Sequence, residues 1–469
     1  MSMLPLTRNL SREFAGLLRD WPADAVPVHA RCRLLMLDGL AVAVAGMHEE
    51  PGPSIVAGLL RAQRTSGPAT VIGDPGGAPL TAAARINGMA MHVLDFEPMW
   101  SPANHALSPL LPALLALAEW REQHDLRLQG LAVLRALAKG IEAQGRLRLS
   151  SRQFEPAKLG FHPPGVVGAI SAALACADLL GLDHERTTHA IGIAASRTGG
   201  LLVNVGSHTK ALHCGDAAAN GLESALLASS GFSANADALG GPRGWGHAYF
   251  GGDFDPEALL QPIGAGRVLE PGPSWKLFPS QYGTHFGITA ALDAHARLPA
   301  GGDVRIERVE LRAPPMPYID RPSPATGLEG KFSWQYTASL ALLDGRVDTA
   351  SFTDVRRHSP DVEALLQRFH LIADPTIGST FDAMHVDLTV TLDDGQSIRS
   401  RCDTPLGSWR RPVEPARIVD KARALLGAAR ADQLLAAMPE SPSSDFSVRA
   451  LMTSLRATRS PSSIERITT

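Results

Sequence analysis

The chain has 469 residues, of which 45% are hydrophobic and 19% are charged, and its formal net charge is −3. This length suits roughly two or three domains, and the composition is typical of a soluble globular protein. Nothing in it suggests a nucleic-acid partner, which would need a clustered basic face. An anionic small-molecule substrate stays open, because the charges of the local pocket decide that.

The N-terminal segment and the cysteines both indicate a cytoplasmic protein. Charged side chains interrupt residues 1–19, so no apolar signal core is present. The four cysteines are scattered and form no C-x-x-C pair, which gives no framework for a zinc site or an iron–sulfur cluster. We therefore expect no metal and no cofactor. The cysteines are Cys32, Cys176, Cys214 and Cys402.

Residues 1–270 are predicted to be almost wholly helical. Leu134, Leu137 and Ile141 fall on one face of a helix, and alanine-rich runs indicate close helix packing. The longest apolar stretch, residues 163–177, is too short to span a membrane, so we interpret it as a buried helix. The sequence therefore predicts no membrane partner.

The connector His92–Pro109, between two predicted helices, is the segment most indicative of function. It holds Asp95, His105, one tryptophan and three prolines. A connector this rigid fixes Asp95 and His105 where two helices meet, and loops on rigid scaffolds often carry chemistry. The alternative is structural: Asp95 caps a helix end and His105 packs without a role in chemistry.

The segment Gly160–Gly165 places a histidine at a predicted helix start. His162 precedes two prolines, which suit the first turn of a helix, and the free N–H groups there attract anions. A histidine at this position can meet a carboxylate. The alternative is a buried structural histidine.

Two lysines follow in the segments Gly206–His213 and Trp275–His285. Lys210 and His213 are spaced i, i+3 and so share one helical face. On its own, Lys210 fits a surface position, because lysine is seldom fully buried. Lys276 has apolar neighbours, and burial there would lower its pKa towards a range useful in catalysis.

The pattern changes after residue 270 to that of a small α+β domain, residues 271–405. Val304–Leu311 alternates as a strand does, with a slip at Arg308 that indicates a bulge. Met384–Leu392 alternates, a turn follows, and Ser397–Arg401 returns as the second strand of a hairpin. Between them we predict the helices Lys331–Leu343 and Asp361–Leu371.

The fold class predicted is mainly α: a large, discontinuous all-helical domain with a smaller α+β lid domain. Residues 406–456 turn helical again and are expected to rejoin residues 1–270. The polar tail, residues 457–469, is predicted to be disordered. No Gly-x-Gly-x-x-Gly run follows a predicted strand, so a dinucleotide-binding fold has no support.

The four polar segments, taken in order, resemble the MmgE/PrpD family, which includes 2-methylcitrate dehydratase, cis-aconitate decarboxylase and iminodisuccinate epimerase. The resemblance covers roughly residues 5–440. Further matching runs are Gly140–Arg146, Gly241–Gly244, Lys331–Tyr336 and Leu343–Arg346.

The resemblance implies a set of active-site residues that converge on one cleft between the domains, with Asp95 at its base. Tyr318 resembles an active-site tyrosine of the decarboxylase branch, and His285 and Arg146 are weaker candidates. The implied catalytic residues are Asp95, His105, His162, Lys210 and Lys276. The expected substrate-binding residues are Tyr318, His213, Met99 and Gln281.

Two positions depart from the decarboxylase pattern. Met99 stands where that branch has a threonine, and Gln281 where it has a histidine. Both changes remove a polar or titratable group from the expected pocket wall, which leaves the exact substrate open.

The resemblance implies a cofactor-independent lyase acting on a small di- or tricarboxylate, like cis-aconitate decarboxylase or 2-methylcitrate dehydratase. Histidines and lysines would move protons and stabilise developing negative charge. An epimerase or isomerase of a small dicarboxylate on the same scaffold is the alternative, and a non-catalytic helical protein is a third hypothesis. The family also implies a homodimer, which we expect to be built mainly on the helical domain, where an apolar face such as Leu110–Leu117 could bury against a partner.

Overall fold

The computed structural model describes residues 8–124, 130–299, 305–440 and 445–456. Helices make up 55% of the structure and strands 9%, so the mainly α prediction is confirmed. Val304, at the start of the first predicted strand, and the tail predicted to be disordered both lie outside the described residues.

The helices of the described residues are distributed over the whole chain. They are α1 (Leu10–Asp20), α2 (Val26–Glu49), α3 (Pro51–Ala62), α4 (Leu80–Val93), α5 (Leu107–Gln123), α6 (Gly130–Ser150), α7 (Pro163–Leu180), α8 (His184–Ala195), α9 (His208–Ser229), α10 (Trp245–Phe250), α11 (Glu257–Leu260), α12 (Thr284–His295), α13 (Gly327–Gly330), α14 (Trp334–Asp344), α15 (Asp354–Arg357), α16 (Pro360–Leu366), α17 (Pro415–Leu426), α18 (Ala428–Ala437) and α19 (Val448–Thr453).

The strands form two short hairpins in the first half of the chain and one four-stranded sheet in the second. They are β1 (Ala69–Thr70), β2 (Gly77–Ala78), β3 (Met99–Trp100), β4 (Asn104–His105), β5 (Ile306–Ala313), β6 (Phe369–Ala373), β7 (Val386–Leu392) and β8 (Ser397–Cys402). The sheet order is β6-β5-β7-β8, with β5 and β6 parallel and the other neighbours antiparallel.

Glycines allow the helices α4 and α9 to pack closely against each other. A Cβ at Gly215 would lie 2.3 Å from the carbonyl oxygen of Arg85, and one at Gly88 would lie 3.0 Å from the Cα of Gly215. No real side chain tolerates the distance at Gly215, so only glycine permits this separation there. The close approach sets the C-terminal end of α4 beside the first turn of α9, where the candidate site lies.

The helix α5 lies in the core of the chain. Leu110, Leu111, Leu114, Leu115 and Leu117 are at most 1% exposed. The prediction that Leu110–Leu117 forms a dimer contact face is therefore wrong, because these side chains pack within the same chain. An all-round apolar helix is typical of a core helix, and periodicity alone does not separate the two cases.

The apolar helix α7 is also a core element. It is the one described helix whose length and composition would allow it to cross a membrane, and 83% of it is buried inside the protein. This matches the interpretation of residues 163–177 as a buried helix.

The sheet confirms the hairpin of β7 and β8 and the bulge near Arg308, where the register between β5 and β7 shifts after Ile306. The predicted helix Asp361–Leu371 is wrong at its C-terminal end. The helix α16 ends at Leu366, and Phe369 begins β6, which pairs with β5. Pairing with the sheet, which local periodicity does not reveal, decides this segment.

Two hydrophobic clusters account for most of the buried side chains. The larger joins the helices α1–α9, here called the helical region, to Ile418, Leu434 and Leu451 of α17, α18 and α19. The C-terminal helices therefore pack on the helical region. The smaller is built on the four-stranded sheet with α12 and α14, which together are here called the sheet region. Met99 belongs to this second cluster although it comes from the first half of the chain. The exact domain boundaries at residues 270 and 405 stay predictions.

Candidate active site

A buried carboxylate, that of Asp95, lies at the centre of the candidate site. Asp95 follows Leu94, the C-cap residue of α4, and its φ of 50° is in the left-handed region, which an aspartate adopts more readily than most residues. Lys210 donates to Asp95 Oδ2 at 2.7 Å, and Lys276 donates to Oδ1. Burial alone would raise the pKa of Asp95, but the two ammonium groups outweigh it and hold that pKa well below its usual range.

Lys210 reaches Asp95 from the first turn of α9. The helix begins after Ser207, as the sequence predicts, and its close packing on α4 brings the two residues together. The ammonium also lies 5.1 Å from the centre of the Phe332 ring. The interpretation of Lys210 as a surface lysine is wrong, because the side chain is only 9% exposed.

Lys276 approaches from the other side of Asp95. It follows Ser274, which exchanges two backbone hydrogen bonds with Met99 of β3, and so is held against the first half of the chain. The side chain is fully buried. Burial lowers the pKa of Lys276 to about 8, against the opposing effect of Asp95.

His105 and His162 complete the polar face. His105 lies on β4, with Nε2 3.5 Å from Asp95 Oδ1, and His162 is the residue before α7, whose first turn holds Pro163 and Pro164. Burial, together with the nearby lysines, holds the pKa of both histidines well below the usual value. Both rings are therefore neutral at pH 7 and can donate or accept a hydrogen bond.

A second set of residues, not predicted from the sequence, lies behind Asp95. His92, in the last turn of α4, has Nε2 2.9 Å from Lys210 Nζ and Nδ1 2.7 Å from Glu97 Oε1. Glu97 is fully buried and accepts hydrogen bonds from the backbone N–H and the hydroxyl of Ser108. Both residues stand in the connector His92–Pro109. Their closeness to Asp95 in the sequence was the one signal that could have marked them as site residues.

Asp95, His105, His162 and Lys210 line a cavity of about 80 Å³ between the helical region and the sheet region. Seven of the nine predicted site residues line it: Asp95, Met99, His105, His162, Lys210, Gln281 and Tyr318. Burial raises the pKa of Tyr318, so its hydroxyl stays protonated and can donate.

The other predicted residues lie outside the cavity wall. Lys276 is behind Asp95. His213 is not among the lining residues; its ring centre is 5.5 Å from that of His162. His285 is buried between Phe278 and Tyr282.

Arg146 has a structural position instead of one in the cavity. It pairs with Glu142 and donates to the backbone carbonyls of Leu259 in α11 and of Pro262 after that helix. Within the run Gly140–Arg146, Arg146 thus does not line the cavity, although Gln144 accepts a hydrogen bond from Asn104, which does. Gly145 of the same run leaves room for Arg267, since a Cβ there would lie 2.0 Å from Arg267 Nε.

Within the described part of the chain, two groups of side chains could by position hold a metal ion: His92 with His162 and Cys214, and His92 with Glu97 and His105. Neither fits a cation well. The Lys210 ammonium lies 2.9 Å from His92 Nε2, and the oxygens of Glu97 already accept hydrogen bonds from Ser108. Burial also raises the pKa of the Cys214 thiol, so a thiolate ligand is disfavoured.

We expect catalysis to be independent of a metal ion. Incubation with EDTA, followed by gel filtration into metal-free buffer, should leave kcat unchanged, because lysines already supply positive charge beside Asp95. Elemental analysis of the treated protein is the control for metal removal. Activity that disappears and returns on addition of iron or magnesium would contradict this.

The arrangement can bind a small anion and move protons. Two ammonium groups and one carboxylate leave a net positive charge around Asp95, while neutral histidines and a tyrosine supply further hydrogen bonds. In a buried site such charges are fixed before the reaction, so they stabilise negative charge without reorganisation.

Two family models together match most of the chain. The model described as the MmgE/PrpD N-terminal domain matches residues 12–257, and the MmgE/PrpD C-terminal domain matches residues 278–437.

Several curated proteins are similar over most of their length. The cis-aconitate decarboxylase of Mus musculus is 33% identical over 432 residues, covering 89% of this chain and 87% of the relative. The cis-aconitate decarboxylase of Homo sapiens is 35% identical over 361 residues, covering 76% and 74%. The 2-methylcitrate dehydratase of Escherichia coli strain K12 is 26% identical over 367 residues, covering 73% and 74%.

Proposed function

The chain belongs to the MmgE/PrpD family and is a lyase of that family, and we propose that it decarboxylates a small unsaturated tricarboxylate of the cis-aconitate type without a cofactor. The identity to the two mammalian decarboxylases, 33% and 35%, exceeds the 26% identity to the dehydratase. The observation that carries the proposal is the position of Lys210 and Tyr318 on one small cavity.

The charges of the cavity suit a substrate with several carboxylates. Lys210 and Lys276 lie on either side of Asp95, and only one of their two charges is neutralised there. A substrate carboxylate at Lys210 would complete the charge balance. His162, the residue before α7, can donate a hydrogen bond to a second carboxylate, whereas the first turn of α7 cannot, because Pro163 and Pro164 lack an N–H and that of Gly165 is bonded to the His162 carbonyl.

Decarboxylation needs an electron sink and a proton. The bond from carbon to the departing carboxylate breaks, carbon dioxide leaves, and the electron pair stays on the substrate skeleton. The fixed positive charge stabilises this carbanion, and a proton then adds to the carbon. The proton donors that face the cavity are Lys210, His105, His162 and Tyr318.

Met99 and Gln281 modify the cavity wall. Both line it, and Gln281 donates to the Tyr318 hydroxyl at 3.3 Å. The thioether of Met99 offers no strong hydrogen bond, so this wall is less polar than one with threonine. We propose that the natural substrate carries a less polar group here than cis-aconitate does.

Proton NMR in deuterated water tests the proposal. The purified protein is incubated separately with cis-aconitate, 2-methylcitrate and iminodisuccinate. We expect carbon dioxide release from the tricarboxylate and one deuteron on the carbon of the product. Formation of an alkene from 2-methylcitrate would favour a dehydratase, and deuterium exchange without loss of a group would favour an epimerase. Either result contradicts decarboxylation.

Substrate binding should take up protons at pH 7. The pKa values of His105 and His162 are held well below the usual range in the free protein, and a trianion nearby raises them. Affinity should therefore increase as pH falls. Calorimetry with propane-1,2,3-tricarboxylate, which lacks the double bond, in two buffers of different protonation enthalpy measures this. Proton release on binding would contradict the expectation.

We propose a homodimer, and a surface different from α5 offers the contact. Phe161 and Leu201 form an isolated β-bridge, and both are exposed, as is Val203 at 84%. Light scattering at micromolar concentration should give about twice the chain mass of 49.7 kDa. Val203→Asp should shift the protein towards the monomer, whereas Val355→Asp, another exposed valine, should not. A monomeric wild-type protein would contradict this.

The cytoplasm is the compartment we propose. All four cysteines are buried free thiols, which suits a reducing environment.

A further inference from the structure

A continuous row of buried groups leads from the cavity to Glu97. Lys210 lines the cavity, its Nζ lies 2.9 Å from His92 Nε2, and His92 Nδ1 lies 2.7 Å from Glu97 Oε1. His92 and Glu97 are 1% and 0% exposed and do not line the cavity. The row therefore has one end at the cavity and the other in the protein interior.

Two arrangements of protons satisfy the hydrogen bonds of this row. In the first, Lys210 is an ammonium that donates to His92 Nε2, and His92 donates from Nδ1 to the Glu97 carboxylate. In the second, Lys210 is a neutral amine that accepts from Nε2–H, and protonated Glu97 donates to Nδ1. Both hold the same number of protons. One proton moved from Lys210 to Nε2, with one moved from Nδ1 to Glu97, converts the first into the second.

We propose that Glu97, His92 and Lys210 form a proton relay, in which His92 and Glu97 are positioning residues that let Lys210 switch between proton donor and proton acceptor. The inference rests on the proposed function for the reaction that uses this proton. Its geometry does not depend on which carboxylate is the substrate.

The environment of Glu97 supports the switch. Burial raises the pKa of this carboxyl group to about 8, although the hydrogen bonds from Ser108 oppose the rise. Its charged and protonated forms are thus close in free energy near neutral pH. The other charged or titratable groups that face the row are Asp95, His105, His162, Cys214, Lys276 and Lys421.

The competing interpretation is that Glu97 has only a structural role. Its carboxylate accepts hydrogen bonds from Ser108, which lies in the first turn of α5, and so could simply hold the start of that helix. The chain provides a matched case. Glu119 is also a buried glutamate that accepts from the backbone N–H and the hydroxyl of one residue, Thr70, at 2.8 Å and 2.6 Å. The hydrogen-bond partner of the Glu119 carboxylate is Thr70, and neither a histidine nor a lysine among the described residues bonds to it. Glu119→Gln therefore removes the same carboxylate without interrupting a relay.

The kinetic test compares Glu97→Gln with Glu119→Gln on the substrate identified by NMR. In Glu97→Gln an amide N–H faces His92 Nδ1, which forces the proton onto Nε2 against Lys210. We expect kcat to fall by about 100-fold or more, with KM little changed, and Glu97→Asp to recover part of kcat. Glu119→Gln should retain kcat. Equal kcat in the two glutamine variants, or a loss confined to KM, would overturn the relay.

A second measurement needs no substrate and so separates this inference from the proposed function. Nitrogen NMR of protein labelled with ¹⁵N-histidine reports which ring nitrogen of His92 carries the proton; His92→Gln assigns the signal. In the wild-type protein we expect both nitrogens to carry the proton part of the time. Glu97→Gln should fix it on Nε2. A single tautomer in the wild-type protein between pH 6 and 9 would overturn the relay, even if Glu97→Gln failed to fold.

Discussion

Replacement of Lys210 with alanine should lower kcat by about 100-fold or more, the effect of one lost charge-stabilising donor in a dry site. Lys210 is the only one of the two lysines on Asp95 that also lines the cavity, so its loss removes the cation nearest the substrate. His162→Ala should have an effect of similar size. Steady-state kinetics on the substrate identified by NMR measures both.

A buried lysine elsewhere provides the control for Lys210. The side chain of Lys139 is 4% exposed, and its ammonium pairs with Asp178 at 2.8 Å. Neither residue lines the cavity. Lys139→Ala should reduce the free energy of unfolding but leave kcat of the folded protein unchanged. Near-normal turnover by both Lys210→Ala and His162→Ala would show that the site assignment is wrong, even though the family assignment stands.

The second large effect should be on stability. Among the residues that the structure describes, Asp95 is the only carboxylate paired with Lys210 and Lys276, so Asp95→Asn leaves two buried ammonium groups without it. Loss of one partner from a buried ion pair typically costs about 3–5 kcal/mol. We expect the free energy of unfolding, measured in urea, to fall by about that amount.

A double variant isolates the cause. Lys276→Met removes the second charge with little change of volume, so Asp95→Asn combined with Lys276→Met should be more stable than Asp95→Asn alone. The two substitutions then show a favourable coupling energy. If the double variant were less stable than Asp95→Asn, charge repulsion would not be the source of the loss. Activity should be low in both variants.

The sequence allowed the main site to be predicted because its residues stand in short polar segments between apolar helices. Asp95, His105, His162 and Lys210 all came from such segments, and the structure brings them to one cavity. Their order along the chain also matched a known family. Helical periodicity alone would have placed Lys210 on the surface.

Other features depended on long-range packing and could not be predicted. His92 lies on α4 among apolar residues, and only the approach of α9 shows that it faces Lys210. The strand β6 forms because β5 is available for pairing, and α5 is a core helix because α4, α6, α7 and α9 surround it. In each case a neighbour distant in sequence decides the outcome.

The return of the C-terminal helices to the first region affects the order in which the protein can be completed during synthesis. Lys421 of α17 donates to the carbonyl oxygen of Phe96 and pairs with Asp38, a fully buried residue of α2, at 2.8 Å. Until α17 has left the ribosome, Asp38 has no such cation and the backbone beside Asp95 has no such donor. The helical region, although encoded first, therefore reaches its final packing only when the sheet region has already been made. A chain cut before Pro415 would lack part of the support for its own active site.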